Sequence, residues 1–340
     1  MPVSPKESSS HKPRKRVLRI AAASTALLVI GGYVATQYVT SSTGPARCIV
    51  TTAGEKPEDY EIKPEQAANA ATITAVASQR GLPERAVTIA LATAMQESAL
   101  RNIAHGDRDS LGLFQQRPSQ GWGTERQIQD PVYSSRKFYD HLVEIPGYSR
   151  LPLTVAAQRV QRSGYPQAYA KHETHAALLT AALTGRRAAA FNCTTGPAGG
   201  DGKAGSATQL RARLVREFGT GVLPGQKTDA PQPEARSAAA DAASGPAADP
   251  GVNVLAAGGR PRAADGDSSQ VDIPVRPGRR GWELAHWAVA NATELHIEQI
   301  SYRNRVWDAS SSEEGWRPLE ESGGGAGGES SVRVRLAKGE

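Results

Sequence analysis

Glu97 is the residue with the clearest potential for chemistry in this chain of 340 amino acids. A helix is predicted from Glu84 to Ser98, because Pro83 suits a helix start. At 3.6 residues per turn, Glu97 falls on the same apolar face as Ala90 and Ala94. Burial and the negative end of the helix dipole would both raise the pKa of this carboxyl, as a general acid working near neutral pH requires. A buried glutamate satisfied by an arginine or by backbone amides is the alternative.

A second polar segment, from Ser110 to Gln115, follows the pair Glu97 and Ser98 in the sequence. Together the two motifs resemble the soluble lytic transglycosylase and goose-type lysozyme superfamily over residues 60–193. The resemblance implies a mainly α, lysozyme-like domain in which Glu97 is the catalytic acid. It also implies that Ser110 and Gln115 line the sugar cleft. The expected substrate-binding residues are Ser98, Ser110, Gly112, Leu113, Phe114, Gln115, Gln116 and Tyr169.

The segment from Ala156 to Tyr169 departs from the pattern of that superfamily. Lytic transglycosylases carry a Tyr-Asn pair in a third motif here, and this chain has no such pair. Tyr165 and Tyr169 are both candidates for the role of that tyrosine, and the sequence does not choose between them. The departure leaves the chemistry of the cleft open but does not change the expected fold.

Two further patterns have the residue types for chemistry. Asp107 and Asp109 are candidates for the second carboxylate of a glycosidase, although hydrogen bonding within the turn is the favoured role. His172 and His175 are three residues apart, whereas a zinc-binding helix needs a spacing of four. We therefore predict no metal site and no cofactor.

The N-terminus combines a basic segment with an apolar one. Residues 1–16 contain a cluster of lysine and arginine, and an uncharged, mainly apolar run extends from Ile20 to Val39. About 20 such residues span a bilayer as a helix, and a basic flank stays in the cytoplasm. We predict a transmembrane signal anchor at residues 17–39, in preference to a cleaved signal peptide. This would make the chain a single-pass cell-membrane protein with a cytoplasmic N-terminus and an extracytoplasmic bulk.

Cys48 and Cys193 are the two cysteines of the chain, and they bracket the region of resemblance. Outside the cytoplasm a disulfide between them is chemically permitted and would tie the two ends of that region together. Two unrelated thiols are the alternative. We predict the disulfide.

Composition and patterning predict a modular chain. The predicted parts are a cytoplasmic basic tail (1–16), the anchor (17–39), a tether (40–59), the lysozyme-like domain (60–193), a trailing segment with a short helix (194–219), a disordered linker (220–269) and a small α+β domain (270–340). The linker is rich in Ala, Pro, Gly and Asp. Such a segment cannot bury enough apolar surface to offset the entropy lost on ordering.

The C-terminal segment has the pattern of strands around one helix. Strands are expected at 271–275, 297–302, 305–307 and 332–336, and a helix at 282–295. The runs Gly281–Ala285, Arg305–Trp307 and Gly315–Arg317 resemble a domain of secreted actinobacterial wall proteins, similar to zinc-dependent D-Ala-D-Ala carboxypeptidases. The final strand of such domains carries metal-binding histidines, whereas here it reads Ser331–Arg335. The resemblance implies a fold without its metal, with a binding or structural role. A wall-machinery protein is one candidate partner for this domain, and the sequence leaves peptide stems or no partner at all as the alternatives.

The net charge of +6 suits an anionic surface such as lipid headgroups or a wall polymer. No nucleic-acid-binding signature is found, so nucleic acid is not an expected partner. The expected function is cleavage of the β-1,4 bond between N-acetylmuramic acid and N-acetylglucosamine in peptidoglycan strands, with Glu97 as general acid and then base. A non-catalytic peptidoglycan-binding protein with the same fold is the main alternative. A lysozyme that hydrolyses the bond with the same glutamate is the other.

Overall fold

The computed structural model describes residues 24–33, 44–51, 59–162, 166–195, 202–223, 269–319 and 329–339. The helices within these ranges are α1 (24–33), α2 (Pro64–Gln79), α3 (Glu84–Ser98), α4 (Glu125–Ile128), α5 (Pro131–Val143), α6 (Leu153–Gln161), α7 (Glu173–Leu183), α8 (Ala207–Phe218) and α9 (Arg279–Ala290). The strands are β1 (Cys48–Thr51), β2 (Asp59–Ile62), β3 (Phe191–Cys193), β4 (Gln270–Pro274), β5 (Ile297–Tyr302), β6 (Arg305–Asp308), β7 (Arg317–Pro318) and β8 (Ser331–Leu336).

The prediction of a transmembrane anchor is wrong. Of the predicted anchor the structure describes residues 24–33, which are helical, and no helix among the described residues is long and apolar enough to cross a membrane. The described helical residues 24–33 extend about 15 Å, which is about half of the hydrocarbon core of a bilayer. The membrane as a partner and the single-pass localisation depended on this anchor, so both are withdrawn. The predicted basic tail lies outside the described residues.

The fold class is corrected accordingly. A largely helical region (residues 44–223) is followed by a C-terminal sheet domain (residues 269–339), and no helix among the described residues is a membrane span. The predicted disordered linker falls almost entirely outside the described residues. The predicted trailing helix is present as α8.

The two central helices of the helical region begin and end at signals visible in the sequence. α2 has proline at its first position, and the Gln66 side chain accepts a hydrogen bond from the Lys63 backbone amide at 2.7 Å. α3 runs over the predicted residues, and eleven of its fifteen are buried. Both helices belong to the same core cluster. This packing holds the C-terminal end of α3, which carries Glu97, in a fixed position.

A short antiparallel sheet in the order β2-β1-β3 closes the helical region. Its middle strand lies in the segment that the sequence assigned to a tether. Cys48 of β1 lies opposite Cys193 of β3, and the two form a disulfide across 145 residues of sequence. The predicted disulfide is confirmed. It joins the first and last strands of this region.

The C-terminal domain is a five-stranded antiparallel sheet in the order β4-β8-β5-β6-β7, with α9 packed on one face. On β8 the side chains alternate between buried and partly exposed positions, which is the period-2 pattern of a half-buried strand. Arg333 and Arg335 stand where the metal-binding histidines of the resembled domain would be. They form ion pairs with Asp272 and Glu298 at 3.0 and 3.1 Å. These arginines therefore hold neighbouring strands together.

The C-terminal domain packs directly on the helical region through α9. Every residue from Gly281 to Ala290 is buried, because α9 lies between the sheet and the helices α2 and α7. The Trp287 indole donates to the Glu217 carboxylate at 2.7 Å. The ring nitrogen Nδ1 of His286 lies 2.7 Å from the Ala182 carbonyl oxygen.

Strand β3 makes a second junction between the two domains. The Asn192 side chain accepts a hydrogen bond from the Trp307 indole at 2.8 Å and donates to the Ser312 carbonyl at 2.9 Å. The Trp316 indole donates to the Phe191 carbonyl at 2.9 Å. Buried residues of both domains form one continuous apolar core.

His286 makes the stability of this junction depend on pH. Burial lowers the pKa of its imidazole to about 4, so the unfolded chain takes up a proton between about pH 6.5 and pH 4 while the folded chain does not. We expect the contribution of this residue to the free energy of unfolding to fall by about 3 kcal/mol as the pH drops through that window. Urea unfolding at several pH values, for the parent and His286→Asn, measures the difference.

Two nearby acids contribute to pH dependence with the opposite sign. Burial raises the pKa of both Glu217 and Glu283, so the folded chain binds their protons more readily, and their effect on stability becomes less favourable as the pH rises. Both acids are still present in the His286→Asn variant. Their contributions to the pH dependence therefore cancel when the variant is compared with the parent. Equal pH slopes in the two proteins would contradict the assignment to His286.

Candidate functional site

Glu97 lies in the last turn of α3, with a partly buried side chain. The Tyr169 hydroxyl donates a hydrogen bond to Glu97 Oε1 at 2.7 Å. Burial raises the pKa of the carboxyl, and hydrogen bonds from Tyr169 and Gln161 partly offset that rise. The group is therefore a carboxyl that can hold a proton nearer neutrality than a free glutamate and is fixed in direction by two side chains.

Tyr169 lies in the 3-10 segment Pro166–His172 and is fully buried. It was expected among the substrate-binding residues, but its hydroxyl is directed at the carboxylate. Of the two tyrosines that the sequence left open, Tyr169 has this contact, and Tyr165 lies outside the described residues. Tyr169 thus positions the acid instead of lining an open surface.

Gln161, at the C-terminus of α6, is a site residue that the sequence interpretation missed. Its Nε2 donates to the Phe114 carbonyl at 2.7 Å, and its side chain also hydrogen-bonds to Glu97. The available signal was an amide side chain within the segment where the superfamily carries its third motif. Sequence spacing did not show that this amide reaches the end of α3.

The backbone just after Glu97 adopts an uncommon conformation. Ala99 and Leu100 both have left-handed φ angles, 53° and 59°, a conformation that is disfavoured for residues with a Cβ. The Gln66 and Asn69 side chains of α2 donate to their carbonyl oxygens at 2.7 and 2.8 Å. These hydrogen bonds hold a sharp turn, so that the chain changes direction directly after the helical turn that carries the carboxylate.

The loop after this turn is tied to α3 by Ser98. The Ser98 hydroxyl donates to the Leu113 carbonyl at 2.8 Å. Leu111 and Gln116 exchange two backbone hydrogen bonds, at 2.9 and 3.0 Å, which close the loop. Gly112 has a φ angle of 72°, and a Cβ here would lie 2.8 Å from the Ile128 carbonyl oxygen. The residues of the second motif therefore build a rigid loop beside Glu97.

Most of the predicted substrate-binding side chains point into the protein. Leu113 and Phe114 are fully buried, and Gln116 is 1% exposed and donates to the Ser134 carbonyl at 3.0 Å. Ser98 and Ser110 are also buried. Their side chains support the loop, and the residue of this set whose side chain is partly accessible is Gln115.

Asp109 has the structural role that its turn sequence favours. Its carboxylate accepts hydrogen bonds from the Arg117 guanidinium at 2.7 Å and from the Ser119 amide at 2.8 Å. Hydrogen bonds from Ser119 and Arg117 hold the pKa of Asp109 well below its usual range. Asp109 is therefore a fixed anion of the loop and unsuited to proton transfer near neutral pH. Asp107 is exposed in the same turn.

A cavity of about 450 Å³ lies between the loop and the C-terminal end of α6, and Glu97 is not among its lining residues. Its lining includes Gln115, Arg117, Trp122, Arg159, Gln161 and Arg162. Gln161 also hydrogen-bonds to Glu97, so the cavity begins one side chain away from the carboxyl. Its volume lies within the range of small-ligand pockets.

The histidine pair on α7 and the preceding turn is not arranged for a metal. His172 Nε2 lies 3.2 Å from Gln96 Oε1, and the His175 ring stacks on Tyr60 at 4.0 Å between centroids. Among the described residues, no group of three His, Cys, Asp or Glu side chains is placed to hold a metal ion.

Comparisons with known proteins bear on the C-terminal half of the chain. A family model described as VldE, C-terminal domain, matches residues 229–327, a range that contains α9, β4, β5, β6 and β7. The match covers less than a third of the chain and lies outside residues 60–193. No curated protein matches this sequence. The resemblances to lytic transglycosylases and to carboxypeptidase-like domains therefore stay predictions.

Proposed function

We propose that this protein is a lytic transglycosylase that cleaves the β-1,4 bond between N-acetylmuramic acid and N-acetylglucosamine in peptidoglycan. The observation that supports it most is the environment of Glu97. Its pKa is raised by burial, and the Tyr169 hydroxyl holds its carboxyl at 2.7 Å. The adjoining cavity, lined by amide and guanidinium groups, offers polar contacts of the kind that bind sugars.

The reaction needs one protein carboxyl group. Glu97 gives its proton to the glycosidic oxygen as the bond from that oxygen to the anomeric carbon breaks. The Glu97 carboxylate then takes the proton of the muramoyl 6-hydroxyl while the 6-oxygen bonds to the same anomeric carbon. The products are a free 4-hydroxyl group and a 1,6-anhydro ring, and Glu97 ends protonated. Tyr169 and Gln161 hold the carboxylate in position between the two proton transfers.

Digestion of purified peptidoglycan with the full chain, followed by mass spectrometry of the soluble products, tests this proposal. Anhydromuropeptides are the expected products. Reducing-end muropeptides would replace the proposal with a hydrolytic lysozyme that uses the same Glu97. Binding of the protein to the wall pellet without any soluble product would instead leave a non-catalytic peptidoglycan-binding protein.

Substitution of Tyr169 by phenylalanine should change the pH profile of cleavage. The variant loses a hydrogen bond that lowers the pKa of Glu97, so this pKa rises further and the alkaline limb of kcat/KM moves to higher pH. We expect kcat/KM at the optimum to fall about tenfold, because the carboxylate is held less firmly.

Tyr139→Phe is the matched control for this experiment. Tyr139 is also fully buried, but its hydroxyl donates to the Ile73 carbonyl at 3.1 Å, away from Glu97. Its removal should cost some stability and leave the pH profile unchanged. Equal movement of the alkaline limb in both variants would contradict the role assigned to Tyr169.

A further inference from the structure

Two consecutive residues in the left-handed conformation follow the turn of α3 that carries Glu97. A helix commonly ends with one such residue, and that residue is usually glycine. Here Ala99 and Leu100 both have a Cβ, and their φ angles are 53° and 59°. Such a backbone conformation persists only where the surrounding structure enforces it. The contacts that enforce this turn therefore also hold the end of α3 on which Glu97 lies.

Asn69 of α2 makes the side-chain contact to this turn that is better protected from water. Its amide group donates to the Leu100 carbonyl oxygen at 2.8 Å, and Asn69 is 8% exposed. Gln66 makes the corresponding bond to the Ala99 carbonyl oxygen at 2.7 Å, but that bond is exposed. Water can replace an exposed donor, whereas a buried carbonyl group that loses its partner stays unpaired. Asn69 is therefore the more important of the two donors.

The charge of Glu97 makes a firm hold on this turn necessary. The C-terminal end of a helix is the negative end of its dipole and repels an anion. Glu97 lies in the last turn of α3, and in the proposed reaction it becomes an anion once it has given its proton to the glycosidic oxygen. The repulsion favours unwinding of the last turn at the step in which Glu97 must take up the second proton. Amide donors at this end of the helix oppose that unwinding.

Asn69 belongs to a helix that is fixed by both domains. Ten of the sixteen residues of α2 are buried. The Arg280 guanidinium of α9 donates to the Ser78 hydroxyl of α2 at 2.7 Å, and the Tyr139 hydroxyl of α5 donates to the Ile73 carbonyl at 3.1 Å. α2 therefore cannot move away from the turn without disrupting the shared core.

We propose that Asn69 is a positioning residue for the acid. Through the Leu100 carbonyl group it keeps the last turn of α3 closed, so that the Glu97 carboxyl stays aligned with the Tyr169 hydroxyl. The inference rests on the proposed function and extends it to a residue of α2 that acts on the backbone and not on the carboxyl itself.

Steady-state cleavage of peptidoglycan by the full-length Asn69→Ala protein tests this inference. We expect kcat to fall about tenfold with little change in KM, because misalignment of the acid affects the chemical step more than binding. The hydrogen bonds that lower the pKa of Glu97 come from Tyr169 and Gln161. A displaced carboxyl loses them, so its pKa rises and the alkaline limb of kcat moves to higher pH. Combined with Tyr169→Phe, the loss should be smaller than the product of the two single losses, since both changes act on one alignment.

Substitutions at Ala99 alter the same turn without changing α2. Ala99 is exposed, so its side chain is not part of the core. Glycine adopts the left-handed conformation readily, and Ala99→Gly should restore most of the kcat that Asn69→Ala loses. Valine is strongly disfavoured in this conformation. Ala99→Val alone should therefore lower kcat and move the alkaline limb as Asn69→Ala does, which tests the inference even where Asn69→Ala does not fold.

Asn291→Ala is the matched control. Asn291 is 1% exposed, and its amide group donates to the Trp287 carbonyl at 2.8 Å within the C-terminal domain. Its loss should lower the stability of the fold and leave kcat and its pH profile unchanged at temperatures below unfolding. Parent-like kcat and pH profile in Ala99→Val and in folded Asn69→Ala, or an equal fall of kcat in Asn291→Ala, would overturn the inference and leave the proposed function intact. A parent protein that does not cleave peptidoglycan overturns both.

Discussion

Replacing Glu97 by glutamine should reduce cleavage of peptidoglycan about 1,000-fold or more, because an amide can neither donate the acid proton nor take it back. The fold should survive this change. Glutamine is nearly isosteric with glutamate and still accepts the hydrogen bond from Tyr169. Burial disfavours the ionised carboxylate, so the neutral amide should leave the free energy of unfolding at pH 7 equal or higher. Release of muropeptides over time measures the activity, and urea unfolding measures the stability.

Glu173→Gln is the control for the loss of a single carboxylate. Glu173 begins α7 shortly after Tyr169 and pairs with Arg85 at 2.8 Å, so its side chain has a structural partner. This variant should keep nearly full activity. Comparable activity in Glu97→Gln and in the parent would show that the cleavage does not use the Glu97 carboxyl.

Truncation of Trp287 to alanine should destabilise the protein by about 3–5 kcal/mol, the cost of removing a large buried aromatic side chain. Trp287 is 1% exposed, and its indole packs edge-on against Phe218 with ring centroids 5.8 Å apart. The change also leaves the buried Glu217 without one of its donors. Since buried residues of both domains form one core, we expect a single unfolding transition that moves as a whole to lower denaturant.

Two further variants divide this effect into its parts. Trp287→Phe retains much of the ring volume but lacks the N–H group, so its smaller loss reports the hydrogen bond to Glu217. Trp122→Ala removes a half-buried indole at the cavity and should cost less than half as much stability. Two separate transitions in Trp287→Ala, with only one of them moved, would show that the C-terminal domain unfolds by itself.

The elements that the sequence predicted well have strong local signals. α3 begins after Pro83 and covers the predicted residues, and α2 ends before Gly81, because proline and glycine restrict where a helix can start and stop. β8 follows the predicted alternation of buried and exposed side chains. The helical period of the sequence alone predicted that Glu97 lies on the inner face of α3, and in the structure its side chain is partly buried.

The features that sequence did not predict depend on contacts between distant segments. Tyr169 and Glu97 are 72 residues apart, and no local pattern specifies that they meet. β1 is only four residues long, too short for alternation to distinguish it from a tether. The sequence predicts α9 as a helix but not the burial of its polar residues Glu283 and His286, which follows from the position of the helix between two layers. The membrane prediction rested on a count of apolar residues, and no helix among the described residues is long and apolar enough to cross a membrane.

The single disulfide also has a consequence for how the protein is made. Its two cysteines are 145 residues apart and are the only ones in the sequence, so the bond can form only after nearly the whole helical region has been synthesised. Within one chain there is no wrong partner for either thiol. Oxidation of the nascent protein therefore needs an electron acceptor but no reshuffling of mispaired bonds, and the competing reaction is cross-linking to another molecule. Dilution during refolding should favour the correct bond over these cross-links.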